Sequence, residues 1–418
     1  MRHLYNKNQR QMKKVALFIL FFCISLQNNS QETEEKNAAS FNLGSGLNFS
    51  FNEGNYQFNF GGFIRPSFSN NKLEGFAAEN TFNTKNAFLI ISGKALKEKV
   101  SFLVQTDYSK SEPLLDAWLA YHPTENISIT FGQKQTFVNN REMTFREDKL
   151  QFTDRSLLSQ NFSDTGREFG VFIESKFKIG NKFGIAPMFA VTSGDGRNSF
   201  GSDSRDSDLG GMKIGGRFDI YPLGYFTKGN DLFSADLAHE QELKFVIGAA
   251  VSKNTGASNS IGEGHGDFIL YDANGNNNLP DYSQVYLDLL LKYKGFSLFA
   301  EYADAAATGL DLVYTDAAAS QVLAPQQISK FLVLGDSYNV QAGYVTKSGF
   351  GFDLRYESAT PEFESNLNSI LIDYSSYTIG LTKYFDNNNL KIQAALSSID
   401  NVNGSNQTVG EFLVQIVF

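Results

Sequence analysis

The sequence predicts an all-β fold, a transmembrane antiparallel β-barrel with long extracellular loops. Three observations support this prediction. Apolar and polar residues alternate with a period of two along most of the chain, long loops alternate with short polar turns, and the last residues, 410–418, form a strand that ends on a phenylalanine. Helical periodicity is nearly missing, and only helices and closed barrels satisfy their backbone hydrogen bonds in lipid.

The N-terminus has the layout of a secretory signal peptide. The basic residues Lys13 and Lys14 precede an apolar run, 15–24, that is too short to span a bilayer as a helix. We therefore predict a signal peptide over residues 1–30. Cleavage is expected near Ser30, which exports the chain from the cytoplasm.

The mature chain, 31–418, is predicted to be one outer-membrane β-barrel, in which 31–55 is a flexible segment or a first hairpin. Residues 1–30 contain five basic and no acidic residues, so their removal changes the net charge from −9 to −14, and it also removes the single cysteine. An acidic chain is a poor partner for nucleic acid. A chain without cysteine depends on hydrogen bonds and packing rather than on disulfides.

Five segments show the strand alternation most clearly. They are YQFNFGGFI (56–64), VYLDLLLKY (285–293), FSLFAEY (296–302), FDLRYE (352–357) and LKIQAAL (390–396). Such rows fit a soluble sandwich with its apolar row inside, or a membrane barrel with its apolar row outside. The signal peptide, the aromatic residues at strand ends and the C-terminal phenylalanine favour the barrel. The region 303–336 is weakly patterned, which leaves the number of strands open.

Seven further segments, in order along 56–418, carry a resemblance to a known family. They are FGGFIRPSF (60–68), NAFLIISGKALKEKVSFLVQTDYS (86–109), LLDAWLAYHPTENISITFGQ (114–133), DRSLLSQNFSDTGREFGVFI (154–173), VTSGDGRN (191–198), YKGFSLFAEY (293–302) and DSYNVQAGYVTKSGFGFDLRY (336–356). Together they resemble the phosphate-selective porin O and P family, in the form found in the outer membranes of Bacteroidetes.

The resemblance implies a closed barrel of about sixteen strands, usually a homotrimer, whose loops fold inward to narrow a pore. About fourteen strands is the alternative, because the region 303–336 is weakly patterned. It implies a passive channel for small hydrophilic solutes or ions rather than an enzyme, with the outer-membrane lipid and the barrel assembly machinery as partners. Phe418 corresponds to the C-terminal signal by which that machinery recognises outer-membrane barrels.

The stretch 133–155 matches the part of the family that lies near the constriction. Its basic residues, the candidates for the pore lining, are Lys134, Arg141, Arg146, Lys149 and Arg155, and Arg167 and Arg197 follow. The same stretch also carries Glu142, Glu147, Asp148 and Asp154. Because opposite charges of this density can pair, the alternative role of these residues is to form ion pairs that hold loops in place.

The strands supply a second set of pore-lining candidates on their polar rows. These are Asp288, Lys292, Glu301, Asp353, Arg355, Glu357 and Lys391. A mixed wall of acids and bases predicts weak ion selectivity, because an anion site needs several unpaired bases within a Debye length of about 8 Å. Phosphate selectivity therefore does not follow from the residues.

One loop, YDANGNNNLPDYSQ, places oxygen donors at alternate positions around a glycine. The candidate calcium ligands are Asp272, Asn274, Asn276, Asn278 and Asp281. The spacing departs from that of an EF-hand and no glutamate closes the loop, so the prediction is weakly bound calcium or a plain Asn/Gly turn. No other cofactor is expected.

Catalytic motifs are missing from the sequence. The histidines of the mature chain, His122, His239 and His265, have no nucleophile, zinc-ligand spacing or phosphate-binding loop beside them. The alternative to a channel is a barrel with a plugged lumen that serves as a structural or assembly subunit for other envelope proteins.

Overall fold

The structure, a computed structural model, describes residues 37–197, 210–262, 266–363 and 368–418. The predicted signal peptide and His265 lie outside this part. The strands are β1 (Ala38–Asn42), β2 (Gly46–Phe51), β3 (Tyr56–Leu73), β4 (Glu79–Ala95), β5 (Val100–Asp107), β6 (Leu114–Thr124), β7 (Ile127–Gln135), β8 (Arg167–Ser175), β9 (Phe177–Ile179), β10 (Phe183–Thr192), β11 (Lys213–Tyr221), β12 (Lys244–Asn254), β13 (Asp281–Tyr293), β14 (Phe296–Thr308), β15 (Gly335–Val345), β16 (Phe350–Pro361), β17 (Tyr374–Asp386), β18 (Leu390–Asn401) and β19 (Gln407–Val417).

Helical structure is confined to short pieces in the connections. The described part has one α-helix, α1 (Leu157–Phe162), and 3₁₀ turns at Arg141–Thr144, Glu147–Lys149, Asn230–Leu232 and Pro325–Lys330. None of the helices in the described ranges is long and apolar enough to cross a membrane.

Strands β3 to β19 form one closed antiparallel barrel. Each strand pairs with the next along the chain, and β19 returns to pair with β3 from Gln407 opposite Leu73 to Val417 opposite Phe63. Because β8 and β9 both pair with β10 as two pieces of one strand, the barrel has sixteen strands. The predicted all-β barrel is confirmed. Sixteen is the correct count, and the weakly patterned region becomes the end of β14 and a connection, 309–334.

The two ends of the barrel differ in their connections. At one end, the turn end, β13 and β14 are joined by Lys294 and Gly295 alone, with φ angles of 49° and 90° that suit a tight hairpin turn. At the other end, the loop end, connections such as 136–166, 255–280 and 309–334 are long. This asymmetry is typical of outer-membrane barrels, whose short turns face the periplasm and whose long loops face outward.

The orientation of the strand rows is that of a membrane barrel. On β16 the outward residues Phe352 and Leu354 are 53% and 61% exposed, whereas the inward residues Asp353, Arg355 and Glu357 are buried. A soluble sandwich would have the opposite arrangement, with the apolar row buried. The exposed apolar rows therefore face lipid.

The first and last strands meet at a seam. Phe418 donates its backbone N–H to the carbonyl of Gly62 (2.9 Å), and its own carbonyl accepts from the N–H of Gly62 (2.7 Å). Below the end of β19, the hairpin of β1 and β2 continues the wall, because β2 pairs with 56–60 of β3. For the segment 31–55 the sequence allowed either a flexible segment or a first hairpin. The part of it that the structure describes contains this hairpin. Whether Phe418 is an assembly signal stays a prediction.

Candidate functional site

The connection 136–166, here called the constriction loop, leaves β7 at the loop end and folds into the lumen. Its entry is fixed by Asp116 of β6, whose Oδ1 accepts the N–H of Gln135 (2.9 Å). Two apolar anchors hold it against the inner wall. Phe137 packs on Phe172 of β8, and Phe145 packs on Phe299 of β14, with ring centroids 6.0 and 5.9 Å apart. The loop therefore crosses the lumen rather than covering the barrel mouth.

Arg141 on the constriction loop bridges two strands of the far wall. Its Nη2 donates to Asp219 of β11 (2.7 Å) and its Nε to Asp288 of β13. Arg217 of β11 binds the same two carboxylates. Two guanidinium groups and two carboxylates thus form a compact, buried and formally neutral cluster, which stabilises the loop against β11 and β13 because each buried charge has a partner.

Glu142 ties the same loop to the opposite side of the barrel. Its carboxylate accepts hydrogen bonds from Ser156 Oγ (2.7 Å), Ser159 Oγ (2.6 Å) and Arg355 of β16 (3.3 Å). Burial alone would raise the pKa of Glu142, but the charges of Arg355 and Arg155 and the serine hydrogen bonds outweigh it, so that the pKa lies below its ordinary value. Glu142 is therefore held as an anion.

The segment 146–155 carries its own pairs of opposite charge. Asp148 accepts from Arg146 Nη2 (2.9 Å) and lies 3.1 Å from Lys149 Nζ, and Glu147 accepts from Arg155 Nη2 (2.9 Å). Burial opposes ionisation of Glu147, but Arg155 and Arg167 outweigh it and lower its pKa to about 2. Arg146 and Lys149 likewise hold the pKa of Asp148 below its ordinary value against the effect of burial.

Each basic pore-lining candidate of the constriction stretch lies close to a carboxylate. The pairs, with those of the neighbouring bases, are Lys134–Glu174, Arg141–Asp219, Arg141–Asp288, Arg146–Asp148, Lys149–Asp148, Arg155–Glu147, Arg167–Asp116, Arg197–Glu112 and Arg355–Glu142. The described residues of this stretch therefore offer no run of unpaired bases. This arrangement fits the alternative that ion pairs hold the loop in place.

The strand-borne candidates all lie on the inner row, where inserted segments cover several of them. Lys391 of β18 donates to the carbonyls of Asp148 (3.0 Å) and Leu150 (3.1 Å). Lys292 of β13 donates to the carbonyl of Phe233 (2.8 Å). The whole set, Asp288, Lys292, Glu301, Asp353, Arg355, Glu357 and Lys391, is buried. That these side chains line a conducting path stays a prediction.

Buried acids of the wall receive hydrogen bonds from the constriction loop. Glu301 of β14 accepts from the N–H of Glu142 (2.8 Å) and from Asn140 Nδ2 (3.1 Å). Asp353 accepts from Gln151 Nε2 (2.5 Å), and Glu357 accepts from the N–H of Leu157 at the start of α1 (2.5 Å). These contacts pin the loop along β14 and β16.

A second segment, 222–243, enters the lumen from the turn end and is here called the turn-end insert. Its Asp236 accepts the N–H of Gly295 (2.8 Å). The ring centroid of its Phe233 lies 4.6 Å from Nζ of Lys149 on the constriction loop. On the loop-end side, an apolar cluster that includes Phe162, Tyr286 and Leu332 fills the lumen beside β12 to β17. The open space of the lumen therefore lies mainly along the strands that this cluster and the turn-end insert do not cover.

Two cavities lie beside the constriction loop. One, about 210 Å³ in volume, is lined by 152–155 of the loop and by β16 to β19, and includes Arg355, Glu357 and Glu411. The other, about 390 Å³, is lined by β6 to β11 and by Arg141 of the loop. Arg141, Arg155, Arg355 and Glu357 are the predicted pore-lining residues that border these cavities. Both volumes suit water, ions and small polar solutes.

The proposed calcium ligands do not converge. Asp272 Oδ1 accepts the N–H groups of Asn274 (2.8 Å) and Asn276 (2.9 Å), and Asp281 instead pairs with Lys253 of β12 (2.8 Å). The side-chain hydrogen bond of Asn276 lowers the pKa of Asp272. Within the described ranges, no group of three His, Cys, Asp or Glu residues could hold a metal ion. The hydrogen bonds fit the Asn/Gly turn, and calcium binding stays a prediction.

Sequence reasoning missed Asp219, Arg217 and the buried pair of Lys213 with Glu168 (3.1 Å). The signal was present in KIGGRFDIY, where Lys213, Gly215, Arg217 and Asp219 form one row of a strand. Gly215 and Gly216 weakened the alternation there. The strand was not recognised, and neither was its inward row.

Known structures share this architecture, although no protein-family model and no curated protein sequence matches the chain. Similar folds include an anion-selective porin from Comamonas acidovorans (TM-score 0.53, 11% identity, 87% of this chain and 100% of that one). They also include the outer membrane channel DcaP of Acinetobacter baumannii (TM-score 0.53, 12% identity, 87% and 97%). A third is the trimer form of OmpT, an outer membrane protein of Vibrio cholerae (TM-score 0.51, 10% identity, 87% and 99%).

At these identities the likeness establishes the fold alone. It agrees with the closed barrel, the lipid-facing apolar rows and the alternation of turns and loops. The chain has the closed sixteen-stranded antiparallel barrel fold that outer-membrane porins also have.

Proposed function

We propose that this protein is a passive channel for small hydrophilic solutes and ions, without catalytic activity. The observation that carries the proposal is a loop, 136–166, folded inside a closed sixteen-stranded barrel with polar cavities bordering it. A solute that crosses the barrel passes between the constriction loop and the wall, where charged side chains face it at short range. Charged rings and narrow constrictions of this kind set the conductance of known pores.

Weak ion selectivity is part of the proposal. The bases of the constriction loop are paired with acids at hydrogen-bonding distance, as Arg155 is with Glu147, so little unpaired charge of either sign faces the passage. Beyond a Debye length of about 8 Å the remaining charge is screened at physiological salt. Neither cations nor anions are then preferred by more than a few-fold, and phosphate is not bound tightly.

Single-channel recording in planar bilayers tests the proposal. Purified, heat-modifiable barrel should give discrete conductance steps, and a salt gradient should give a reversal potential near zero, with a permeability ratio within about threefold. Heat-denatured protein is the control for contaminating channels. Phosphate block of chloride current at micromolar levels would contradict the selectivity, and a lack of any steps would contradict the channel.

The alternative, a non-conducting barrel that serves as a structural or assembly subunit of the envelope, is favoured by one observation. The constriction loop, the turn-end insert and the apolar cluster around Phe162 fill much of the lumen. Silent bilayers with correctly folded barrel would support this role. Conductance steps that change size when the turn-end insert is shortened would exclude it.

The other elements of the proposal concern family, assembly and export. Membership of the phosphate-selective porin O and P family rests on the segments quoted above. A homotrimer is supported by the trimer form of the similar Vibrio cholerae protein, and light scattering in detergent tests it. The proposal also includes export by the signal peptide over 1–30, assembly through Phe418 and contact with outer-membrane lipid.

A further inference from the structure

A third cavity lies inside the barrel at the turn end, and its chemistry differs from that of the constriction. It has a volume of about 400 Å³ and is lined by β1 to β6. Most of its lining residues belong to the inward rows of these strands, as Ser101 and Leu103 do. Of the residues described there, Lys94 is the one charged side chain, and it is paired with Glu98 (2.9 Å). The cavity is thus almost neutral, whereas the constriction is densely charged.

Trp118 of β6 lines this cavity and is the single tryptophan of the chain. It lies opposite Leu103 on β5 and opposite Gly132 on β7. Gly132 has no side chain to lay across the indole, and a Cβ at that position would come within 3.1 Å of the Cβ of Trp118. The indole N–H makes no hydrogen bond within the described chain. The indole therefore borders the cavity and has a donor available for a ligand.

Hydroxyl and amide groups on the other strands of the cavity complete its lining. Ser40 of β1, Ser50 of β2, Gln57 and Asn59 of β3, and Ser92 of β4 all border the cavity. Among the described residues, the hydroxyls of Ser40, Ser50 and Ser92 have no hydrogen-bond partner. Such hydroxyls both donate and accept, which suits a ligand that carries hydroxyl groups of its own.

From this combination we infer that the turn-end cavity binds a neutral, hydroxylated ring compound such as a sugar, which stacks on Trp118 and forms hydrogen bonds with uncharged polar groups of the cavity lining. A charged solute gains little there because the cavity offers no unpaired charge. The volume lies within the range of small-molecule sites. Binding is weak, with a Kd of about 1–10 mM, because a solute in transit must also leave.

The inference names the solute class of the proposed channel, and its transport half rests on that function. Binding of the solute does not rest on that function, because the fluorescence of the single tryptophan reports directly whether the cavity is occupied. Titration of the intact protein in detergent with maltose should shift Trp118 fluorescence saturably. Sorbitol, an acyclic polyol, serves as the control. No shift with maltose up to about 100 mM, or an equal and linear change with sorbitol, would overturn the inference.

The second measurement uses ion current. Maltose should interrupt the current of the native channel, and Trp118→Ala should weaken that block about tenfold or more. Trp118→Phe, which keeps a ring, should weaken it less. Tyr121→Ala, on the outward row of the same strand, is the matched control and should change nothing. Undiminished block in Trp118→Ala would overturn the inference, whereas silent bilayers with a normal fluorescence titration would overturn the channel alone.

Discussion

Arg141 shows how single residues set the charge of the passage. It shares Asp219 and Asp288 with Arg217, so the four charges cancel. Arg141→Gln leaves two carboxylates with one guanidinium beside the cavity of β6 to β11. We expect the permeability ratio to move toward cations by about two- to fivefold, since unpaired acids attract cations at short range. Reversal potentials in a KCl gradient measure this shift.

The control for Arg141 is Lys182→Gln, which removes an equal charge from a pair with Glu242 in which both side chains are 67% exposed. An exposed pair at that position should not affect permeation. Equal shifts in both variants would show that Arg141 acts only through net charge.

The pKa of Glu147 determines in which pH range its ion pair stabilises the protein. Its pKa, lowered to about 2 mainly by Arg155 against the effect of burial, lies below the ordinary value of 4.5. A carboxyl with a depressed folded pKa contributes stability above its unfolded pKa and loses it as the pH falls toward the folded pKa. The stability that Glu147 contributes should therefore be fully present from pH 7 to about 5 and be lost progressively below about 4.5, which thermal unfolding at a series of pH values measures.

Arg155→Gln tests this argument about Glu147. Without Arg155 the pKa of Glu147 rises toward its ordinary value, because Arg167 remains only at 3.9 Å. The loss of thermal stability below about pH 4.5 should then be smaller than in the native protein, because the folded and unfolded pKa values of Glu147 lie closer together. An unchanged pH profile would show that the pair of Glu147 with Arg155 does not hold the loop.

At the scale of elements, the turn-end insert should limit conductance. It covers Lys292 and contacts the constriction loop at Lys149. Replacing 228–238 by a shorter Gly/Ser linker should uncover Lys292 and widen the turn-end half of the lumen, so that single-channel conductance rises about twofold or more. Replacement of the exposed residues 272–276 is the control. Unchanged conductance would place the narrowest point elsewhere.

The loop 272–281 should behave as a surface turn with at most weak metal affinity. Asp272 already satisfies its oxygens with N–H groups of Asn274 and Asn276. Calcium at a few millimolar should raise the melting temperature little or not at all, and Asp272→Asn should abolish any rise. Protease nicking there on intact cells should leave the barrel standing. A large stabilisation that survives Asp272→Asn would place a metal site elsewhere.

At the scale of the molecule, most of the strands could be predicted from the sequence, but the contacts inside the lumen could not. The apolar outer rows, which include Leu287 and Leu354, are recognisable by their period of two. Once a membrane barrel was predicted, it followed that these rows face outward. The bond of Arg141 to Asp288 did not follow, because a loop of mixed charge encodes no position across the lumen. Lys391 is similar: its partners are the backbone carbonyls of Asp148 and Leu150, which leave no sequence signal.

Deletion of Phe418 tests the whole barrel. Its backbone makes two hydrogen bonds with Gly62 across the seam, and its ring borders the lipid-facing surface. Without it, we expect degradation or periplasmic accumulation instead of heat-modifiable barrel in the outer membrane. Phe418→Tyr keeps the aromatic ring and the backbone bonds and is the control. Normal outer-membrane levels of the deletion variant would exclude Phe418 as an assembly signal.

The seam also has a kinetic consequence. Gly62 and Phe418 are 356 positions apart in the sequence (418 − 62), so the contact that completes the cylinder is a long-range one, and such contacts form late. The constriction loop, in contrast, reaches strands from β3 to β19. Because Arg65 of β3 and Gln415 of β19 both bind this loop, its full set of contacts needs these two strands side by side. We therefore expect the final placement of the loop and the closure of the barrel to occur together.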